Sequence, residues 1–382
     1  MTPASIEDFR TLARRRLPRF LFDYIDGGSY DEGTLHANIA DLQTLKLRQR
    51  VMVDVSQVDL STNLLGREVS FPVALAPIGL AGLYARRGEV QAARAAEVAG
   101  VPFILSSSAC CGIEEVAAGV TRPPILQLYM IRDRAFMVDL LQRSAALGVE
   151  TLVLTVDLIM HSPRRRDVRS SLTGSQGLAA RLQRAFEIGT HPDWAWDVGV
   201  NGRPHTLGNF APVMAEGAGL AQFTAWVGRN FDASITWADM VWLRENWRGP
   251  IVVKGVMDAA DAAAACEAGV DGIVVSNHGG RQLDGAPSSI AALPAIVDAV
   301  AGRCDVLLDG GIRSGTDIVR ALGLGAKGVL LGRAWAFALG AQGQVGVARM
   351  LELLRHEFAV AMALTGQTSA RSVSRDVVLP TA

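Results

Sequence analysis

Residues 271–285 read DGIVVSNHGGRQLDG, a short β-branched run that ends in a polar, glycine-rich loop. The same phrase recurs along the chain, each time followed by an alanine-rich stretch suited to a helix. The other runs are FPVALAP (71–77), VPFILSSS (101–108), PILQLYM (124–130), ETLVLTVD (150–157), PIVVKG (250–255), DVLLDGG (305–311) and KGVLLGR (327–333). Between them GEVQAARAAEVAG, AFMVDLLQRSAALG, AADAAAACEAG and GTDIVRALGLGA read as helices, several closing on the glycine that ends a helix before the next strand. Eight such units predict a (β/α)8 TIM barrel rather than the alternative, a doubly wound sheet. Strands that are apolar almost throughout agree, because parallel barrel strands are buried on both faces.

Two regions break the repeat. Residues 1–65 precede the first strand and predict an N-terminal helical cap, with a helix over Ile6–Leu17, Ser5 as its N-cap, and YIDGGSYDEG (24–33) as a loop or cap. The stretch 168–236, after the fourth strand, is far longer than an ordinary βα connection, and such excursions are usually functional. Its GLAARLQRAFEIG (177–189) sets Leu178, Leu182, Ala185 and Phe186 at helical spacing with Arg181 and Arg184 among them, and Trp194 and Trp196 follow. That pattern suits either packing on the protein's own surface or a monotopic membrane-interface segment.

Composition excludes several partners. With 37 Lys+Arg against 38 Asp+Glu the net charge is -1, so no nucleic-acid footprint is expected. Cys110, Cys111, Cys266 and Cys304 form neither a metal-ligand spacing nor a disulfide framework, and no metal site is expected. No signal peptide is expected from MTPASIEDFRTLARRRLPRF, which lacks a continuous apolar segment behind its basic residues, and no apolar run is long enough to span a bilayer.

Barrel enzymes build their sites at the carboxyl ends of strands, and here seven of the eight ends carry polar or glycine-basic residues: Ser106, Gln127 and Tyr129, Thr155 and Asp157, Lys254, Asn277 and His278, Asp309 and Arg313, Gly332 and Arg333. The last two loops, DGGIRSG and GR, pair glycines with a basic residue, which favours a phosphorylated ligand over two plain turns. One histidine after a strand is more often structural than catalytic. Arg281 on the same loop reverses that, since a guanidinium beside a base suits a carboxylate substrate with an abstractable proton.

Taken in order, SNHGGRQLDG, LQLYM, LTVD, VVKG, LDGGIRSGTDIVRALGLGA and LLGRA resemble the FMN-dependent α-hydroxy acid dehydrogenase and oxidase family over nearly the whole chain. YIDGGSYDEGTL, YARRGEVQAA and HPDWAWDVGVNGRPHTLGN are most similar to its bacterial respiratory L-lactate dehydrogenases, with mandelate dehydrogenases next. The resemblance implies that His278 is the base, supported by Asp157, and that Arg281, Tyr24 and Arg164 grip the substrate carboxylate. Tyr129 would lie near the substrate oxygen and Lys254 beside the flavin. FMN is placed against Ala76, Pro77 and Gly79, with Ser106, Gln127, Thr155 and Lys254 around its ring, and its phosphate at Asp309, Gly311, Arg313, Gly332 and Arg333. No GxGxxG fingerprint supports a nicotinamide cofactor.

Three departures refine the expectation. Ser108 stands where glycolate oxidases of plants carry a bulky aromatic, admitting a larger α-substituent. Gly79 stands where many oxidases carry alanine. DLIMHSPRRRD (157–167) departs most, supplying His161, which has no family role, and three arginines for which a solvated or anion-steering face is the lesser alternative. The expected activity is oxidation of an L-2-hydroxy acid, L-lactate first and mandelate second. Electrons would pass to a membrane quinone, with oxygen as the alternative acceptor. A non-catalytic flavoprotein and an FMN isomerase or phosphosugar enzyme are the remaining readings. The family further implies a homotetramer and peripheral attachment on the cytoplasmic side of the inner membrane.

Overall fold

The eight apolar runs form eight parallel strands: β1 Val73–Leu75, β2 Ile104–Ser106, β3 Ile125–Tyr129, β4 Leu152–Thr155, β5 Ile251–Val256, β6 Gly272–Val275, β7 Asp305–Leu308 and β8 Gly328–Leu331. The computed structural model describes residues 2–173, 177–213, 226 and 229–379. From β2 to β8 each strand pairs with its neighbours in chain order, and β8 pairs with β1 through Val329 and Val73. A parallel bridge between Leu75 and Phe103 joins β1 to β2 and closes the (β/α)8 ring.

Strand alternation divides the core in two. Ala74, Ile104, Ile125, Val153, Val252, Val274, Leu307 and Leu330 face inward and fill the barrel. Residues of the opposite phase, such as Leu75, Leu105, Leu154, Val253 and Leu308, pack outward against the helices. Each buried aliphatic side chain contributes roughly 1.5–3 kcal/mol, so both layers are strongly stabilising. A hairpin of Thr62–Leu64 and Arg67–Val69 plugs the amino-terminal end, adding Leu64, Leu65 and Val69 to the interior cluster. Thr151 Oγ1, just before β4, donates to Leu65 O at 3.2 Å and fixes the plug.

Two residues further along most strands the inward phase turns polar: Ser106, Gln127, Thr155, Lys254, Ser276 and Asp309. One pleat carries the interior from packed hydrocarbon to chemistry. This switch places the functional layer at the carboxyl end of the ring.

Three helices precede the barrel: α1 Ile6–Arg16, α2 Arg19–Asp26 and α3 Gly33–Thr44. The Ser5 side chain caps α1 by accepting from the Asp8 N–H at 3.2 Å. The sequence reading of 24–33 as loop holds only from Gly27, because Phe20, Phe22 and Ile25 bury one face of α2 and carry it through Asp26. Helix α3 lies against the loops after β6 and β7. Asn38 and Asn277 exchange side-chain hydrogen bonds of 2.9 and 2.8 Å there, and a Cβ on Gly311 would come within 2.0 Å of Asn38 O.

After β4 the chain leaves the barrel. Helix Leu178–Gly189 follows, and the chain returns at Phe231, which bridges Ile131 beyond β3. Residues 174–176, 214–225 and 227–228 of the insert expected over 168–236, and residues 380–382, lie outside the described residues. Of the two indoles expected at a surface only Trp196 is exposed. Trp194 is buried edge-on against Phe20, and its N–H donates to Leu83 O at 2.8 Å. The four apolar residues of the 178–189 pattern, by contrast, all face solvent.

Candidate active site

A cleft opens at the carboxyl end of the barrel. Most residues singled out in the sequence line it: Tyr24, Ala76, Pro77, Gly79, Ser106, Ser108, Tyr129, Arg164, Lys254, His278, Arg281, Asp309, Gly311, Arg313, Gly332 and Arg333. Asp157, Gln127 and Thr155 sit behind this lining, buried or partly so.

The His278 ring is held from one side. Its Nδ1 lies 2.8 Å from Asp157 Oδ1, leaving Nε2 for the cleft. Burial is the largest influence on the imidazole and pushes its pKa down; Asp157 pulls it up and Lys254 and Arg164 push it down again, leaving it lowered overall. A neutral ring at neutral pH can accept a proton. Burial alone would raise the Asp157 pKa, but His278 and Lys254 outweigh it and keep the group a carboxylate. His278 itself has φ 58, followed by Gly279 at φ 65 and Gly280 at φ 73. Such backbone in a non-glycine residue is costly and needs surrounding structure to hold it. Asn277 supplies that hold through Asn38 and through the Gly280 N–H, 3.0 Å from its Oδ1. Glycine is required at 280, where a Cβ would meet Leu35 N at 2.5 Å.

Lys254 projects from β5 and is nearly fully buried. Its Nζ contacts Asp309 Oδ2 at 3.0 Å and donates to Ser276 Oγ at 2.8 Å. Burial disfavours the ammonium, yet Asp309 and Asp157 outweigh it and the pKa is raised. The cation is therefore permanent.

Four guanidiniums line the cleft with no carboxylate within ion-pair distance among the described residues: Arg164, Arg281, Arg313 and Arg333. Arg281 donates to Tyr24 O and Gly27 O at 2.5 and 2.9 Å, and its guanidinium lies 4.8 Å over the Tyr24 ring. Arg164 lies 5.8 Å over the same ring with its Nε buried and unpartnered. The three consecutive arginines thus have different tasks. Arg165 pairs with Asp31, Arg166 with Asp26 and Glu32, and only Arg164 enters the cleft. Arg333 shares the Gly27 O acceptor with Arg281, donating to Ile25 O, Gly279 O and Gly27 O at 3.0, 2.8 and 2.7 Å. Burial, then repulsion from Arg281 and Arg313, holds its pKa far below the usual arginine range. Crowded, desolvated cations of this kind call for anions.

Buried polar atoms point the same way. Gln127 Nε2, Thr155 Oγ1 and Asp309 Oδ1 have no hydrogen-bond partner among the described residues. Near Ala76, Pro77 and Gly79 the Gln127 N–H and Thr155 hydroxyl are unspent donors and Asp309 Oδ1 an unspent acceptor, followed by two cations and the glycines of the β7 and β8 loops. A Cβ on Gly332 would meet nothing within 4 Å, so backbone there is open to a ligand. This donor set fits a flavin ring with a terminal phosphate.

Sequence reasoning missed Ser276, Asn38 and Phe231. Ser276 could have been found, since it follows the inward-facing Val274 by two. Asn38 and Phe231 reach the site only through tertiary contacts.

Comparison with known proteins agrees with this geometry. The family model for FMN-dependent dehydrogenase matches residues 13–380. Among curated relatives, an L-lactate dehydrogenase of Caulobacter sp. (strain K31) is 56% identical over 381 residues, covering 100% of both chains. That of Pseudomonas putida (strain GB-1) is 53% identical over 369 residues, covering 97% of this chain and 96% of the other. Among solved structures, the monotopic membrane protein (S)-mandelate dehydrogenase superposes with a TM-score of 0.93 at 35% identity over 100% of both chains. A mandelate oxidase gives 0.83 at 38% identity over 98% of each. The chain belongs to the FMN-dependent dehydrogenase family. It is an oxidoreductase, and its cofactor is FMN.

Proposed function

We propose that this protein oxidises L-lactate to pyruvate, with FMN as the first electron acceptor and a membrane quinone as the second. The observation that carries the reading is that His278, held at Nδ1 by Asp157, lines one cleft with Arg164 and Arg281, neither of which has a carboxylate within ion-pair distance among the described residues. Relatives named L-lactate dehydrogenase, over half identical across the full chain, support lactate over mandelate.

FMN supplies a two-electron acceptor at the ring-binding face of Ala76, Pro77, Gly79, Ser106, Gln127 and Thr155. Gly311, Arg313, Gly332 and Arg333 would hold its phosphate end, and Lys254, paired with Asp309 at 3.0 Å, would set a fixed positive charge beside its ring. Arg281 and Arg164 fix the substrate carboxylate, and Tyr24 completes that wall. The Tyr129 hydroxyl, whose pKa burial and then Asp157 drive upward, stays protonated and donates to the substrate oxygen. Nε2 of His278 takes the substrate proton while Asp157 stabilises the resulting imidazolium. Ser108 leaves room for the α-methyl group.

Membrane attachment is the second part of the proposal. Helix Leu178–Gly189 exposes Leu178, Leu182 and Phe186 at 73, 61 and 71%, and Trp196 follows at 67%. One unpartnered apolar face of this size suits the headgroup region of a bilayer. Among the described residues no helix is long and apolar enough to cross a membrane. Likeness to a monotopic membrane protein supports peripheral attachment. A lipid-dissolved acceptor fits that position.

The test is steady-state turnover of purified holoenzyme with L-lactate, D-lactate and L-mandelate, scored for 2-oxo acid and hydrogen peroxide. Rapid pyruvate formation from L-lactate with quinone and little peroxide supports the reading. Preference for mandelate would reassign the substrate, and stoichiometric peroxide would reassign the acceptor to oxygen.

A further inference from the structure

The four cysteines fall into two kinds. Cys110 and Cys111 are buried, and burial, then the Glu89 carboxylate, pushes both thiols up, which leaves them unreactive. Cys266 and Cys304 are partly exposed, and although 38 positions separate them in the chain their Sγ atoms lie 3.6 Å apart. Among the described residues no group of three potential ligands could hold a metal ion, so this pair is not part of a metal site.

The two thiols sit at the amino-terminal end of the barrel, away from the cleft. Cys266 occupies the last turn of helix Ala259–Glu267, which leads through Gly269 into β6, and Cys304 immediately precedes β7. The strands they introduce are neighbours: Gly272 pairs with Asp305, and the Asp305 N–H donates to Asp271 O at 3.2 Å. A disulfide needs its sulfurs about 1.5 Å closer than these. The turn ahead of Cys304 has room to yield, since Ala301 and Gly302 both have positive φ and a Cβ on Gly302 would meet nothing within 4 Å. Burial, then the hydrogen bond with Cys266, pushes the Cys304 thiol up to about 12. Cys304 therefore stays protonated, and Cys266 is the sulfur left to attack first.

We propose that Cys266 and Cys304 are a reversible dithiol–disulfide site, oxidised by a low-molecular-weight disulfide, that cross-links the entries of β6 and β7. The Cys266 thiolate attacks one sulfur of the small disulfide, whose S–S bond breaks and releases one thiol. Cys304 then loses its proton to water and attacks the Cys266 sulfur, expelling the second thiol. Two protein thiols are oxidised, and one small disulfide is reduced to two thiols. The bond lies on the face of a barrel that governs stability rather than chemistry. His278 and Asp309 follow the opposite ends of the same two strands, so the cross-link steadies the frame that carries them without entering the cleft.

The experiment incubates holoenzyme with oxidised glutathione, blocks remaining thiols by alkylation and maps the linked peptides by mass spectrometry. Thermal midpoints are read at one scan rate and one FMN concentration before oxidation, after it and after dithiothreitol. Wild type, Cys266→Ser and Cys304→Ser are compared, with FMN content and reduction by L-lactate recorded on each as the control for folding. Wild type should lose two thiols and yield the Cys266–Cys304 peptide, Cys304→Ser should stop at a glutathione adduct on Cys266, and Cys266→Ser should not react. The wild-type midpoint should rise about 3–6 °C and return on reduction, as closing a loop of this length implies, while lactate reduction stays within twofold. Wild-type enzyme that keeps both thiols free, that stops at a mixed disulfide, or whose midpoint the bond leaves unmoved would overturn the proposal. Equal thiol loss in Cys266→Ser would overturn it as well, by moving the reaction to other cysteines.

Discussion

Nδ1 of His278 lies 2.8 Å from Asp157 Oδ1, a contact that joins the end of β6 to the end of β4 across the ring of strands. It leaves the opposite nitrogen directed into the cleft and fixes which tautomer faces a substrate. Replacing Asp157 by Asn removes the negative charge that stabilises a protonated ring. FMN content should stay normal while reduction by L-lactate slows about 10²-fold or more. Stopped-flow reduction of Asp157→Asn checks this, and a rate within a few-fold of wild type would remove the carboxylate from the mechanism.

The pH dependence follows from the same pair. Burial, then Lys254 and Arg164, hold the His278 pKa below its ordinary value of 6.5, against the upward pull of Asp157. kcat/KM for L-lactate should therefore fall only on acidification below that value, where the base becomes protonated. Asp157→Asn should move the acid limb lower still, since it removes the upward pull. Because the folded pKa is depressed, the group's contribution to stability is full above the unfolded value and lost as pH falls through the folded one. A pH profile of kcat/KM for both proteins decides the sign.

Arg281 combines a planar cation with two main-chain hydrogen bonds to the end of α2 and the loop after it. Lysine keeps the charge but loses the fork. Arg281→Lys should raise KM for L-lactate about 10- to 100-fold with a smaller change in kcat, because the carboxylate contact is present before and during reaction. A change in kcat alone would place Arg281 outside substrate binding.

Arg313 differs from Arg333 in that, among the described residues, its side chain holds only Ile312 O, at 2.8 Å, and so braces little of the fold. Arg313→Met should weaken FMN binding about 10- to 100-fold, read by flavin fluorescence during titration of apoprotein. The apoprotein itself should melt no earlier than wild-type apoprotein, because burial already disfavours this guanidinium. Lower apoprotein stability with unchanged FMN affinity would make Arg313 structural.

Deleting residues 175–215 would remove Trp194, Phe210 and Asn209, all buried, so loss of fold would obscure any loss of membrane contact. Point changes on the exposed face are cleaner. Leu178, Leu182 and Phe186 changed together to serine should lower partitioning onto anionic phospholipid vesicles by roughly a thousandfold, at about 1.5 kcal/mol per side chain, while reduction by L-lactate persists. Undiminished co-sedimentation would return this helix to an ordinary surface role.

Much of the site was legible because it follows the strands. Ser106, Gln127, Thr155, Lys254 and Asp309 each lie two residues beyond an interior hydrophobic residue, a phase that sequence displays directly. Residues brought in from outside the repeat were harder to place. Asn38 braces the His278 loop from α3, and Phe231 returns from the insert to cover Tyr129; neither spacing nor residue type announces those contacts. Trp194 shows the opposite error. An indole beside an amphipathic stretch reads as interfacial, but its buried N–H bond to Leu83 O makes it part of the core. The arginine triplet needed the structure as well, since only the carboxylates of Asp31, Asp26 and Glu32 distinguish Arg165 and Arg166 from Arg164.

The central claim is that His278 is the base of an L-lactate-oxidising flavin site. Anaerobic mixing of holoenzyme with L-lactate, followed at the flavin band near about 450 nm, tests it directly. Wild-type enzyme should bleach rapidly, and His278→Ala, with FMN still bound, should bleach about 10³-fold more slowly or worse. A His278→Ala protein that bleaches at a near-normal rate would contradict the account.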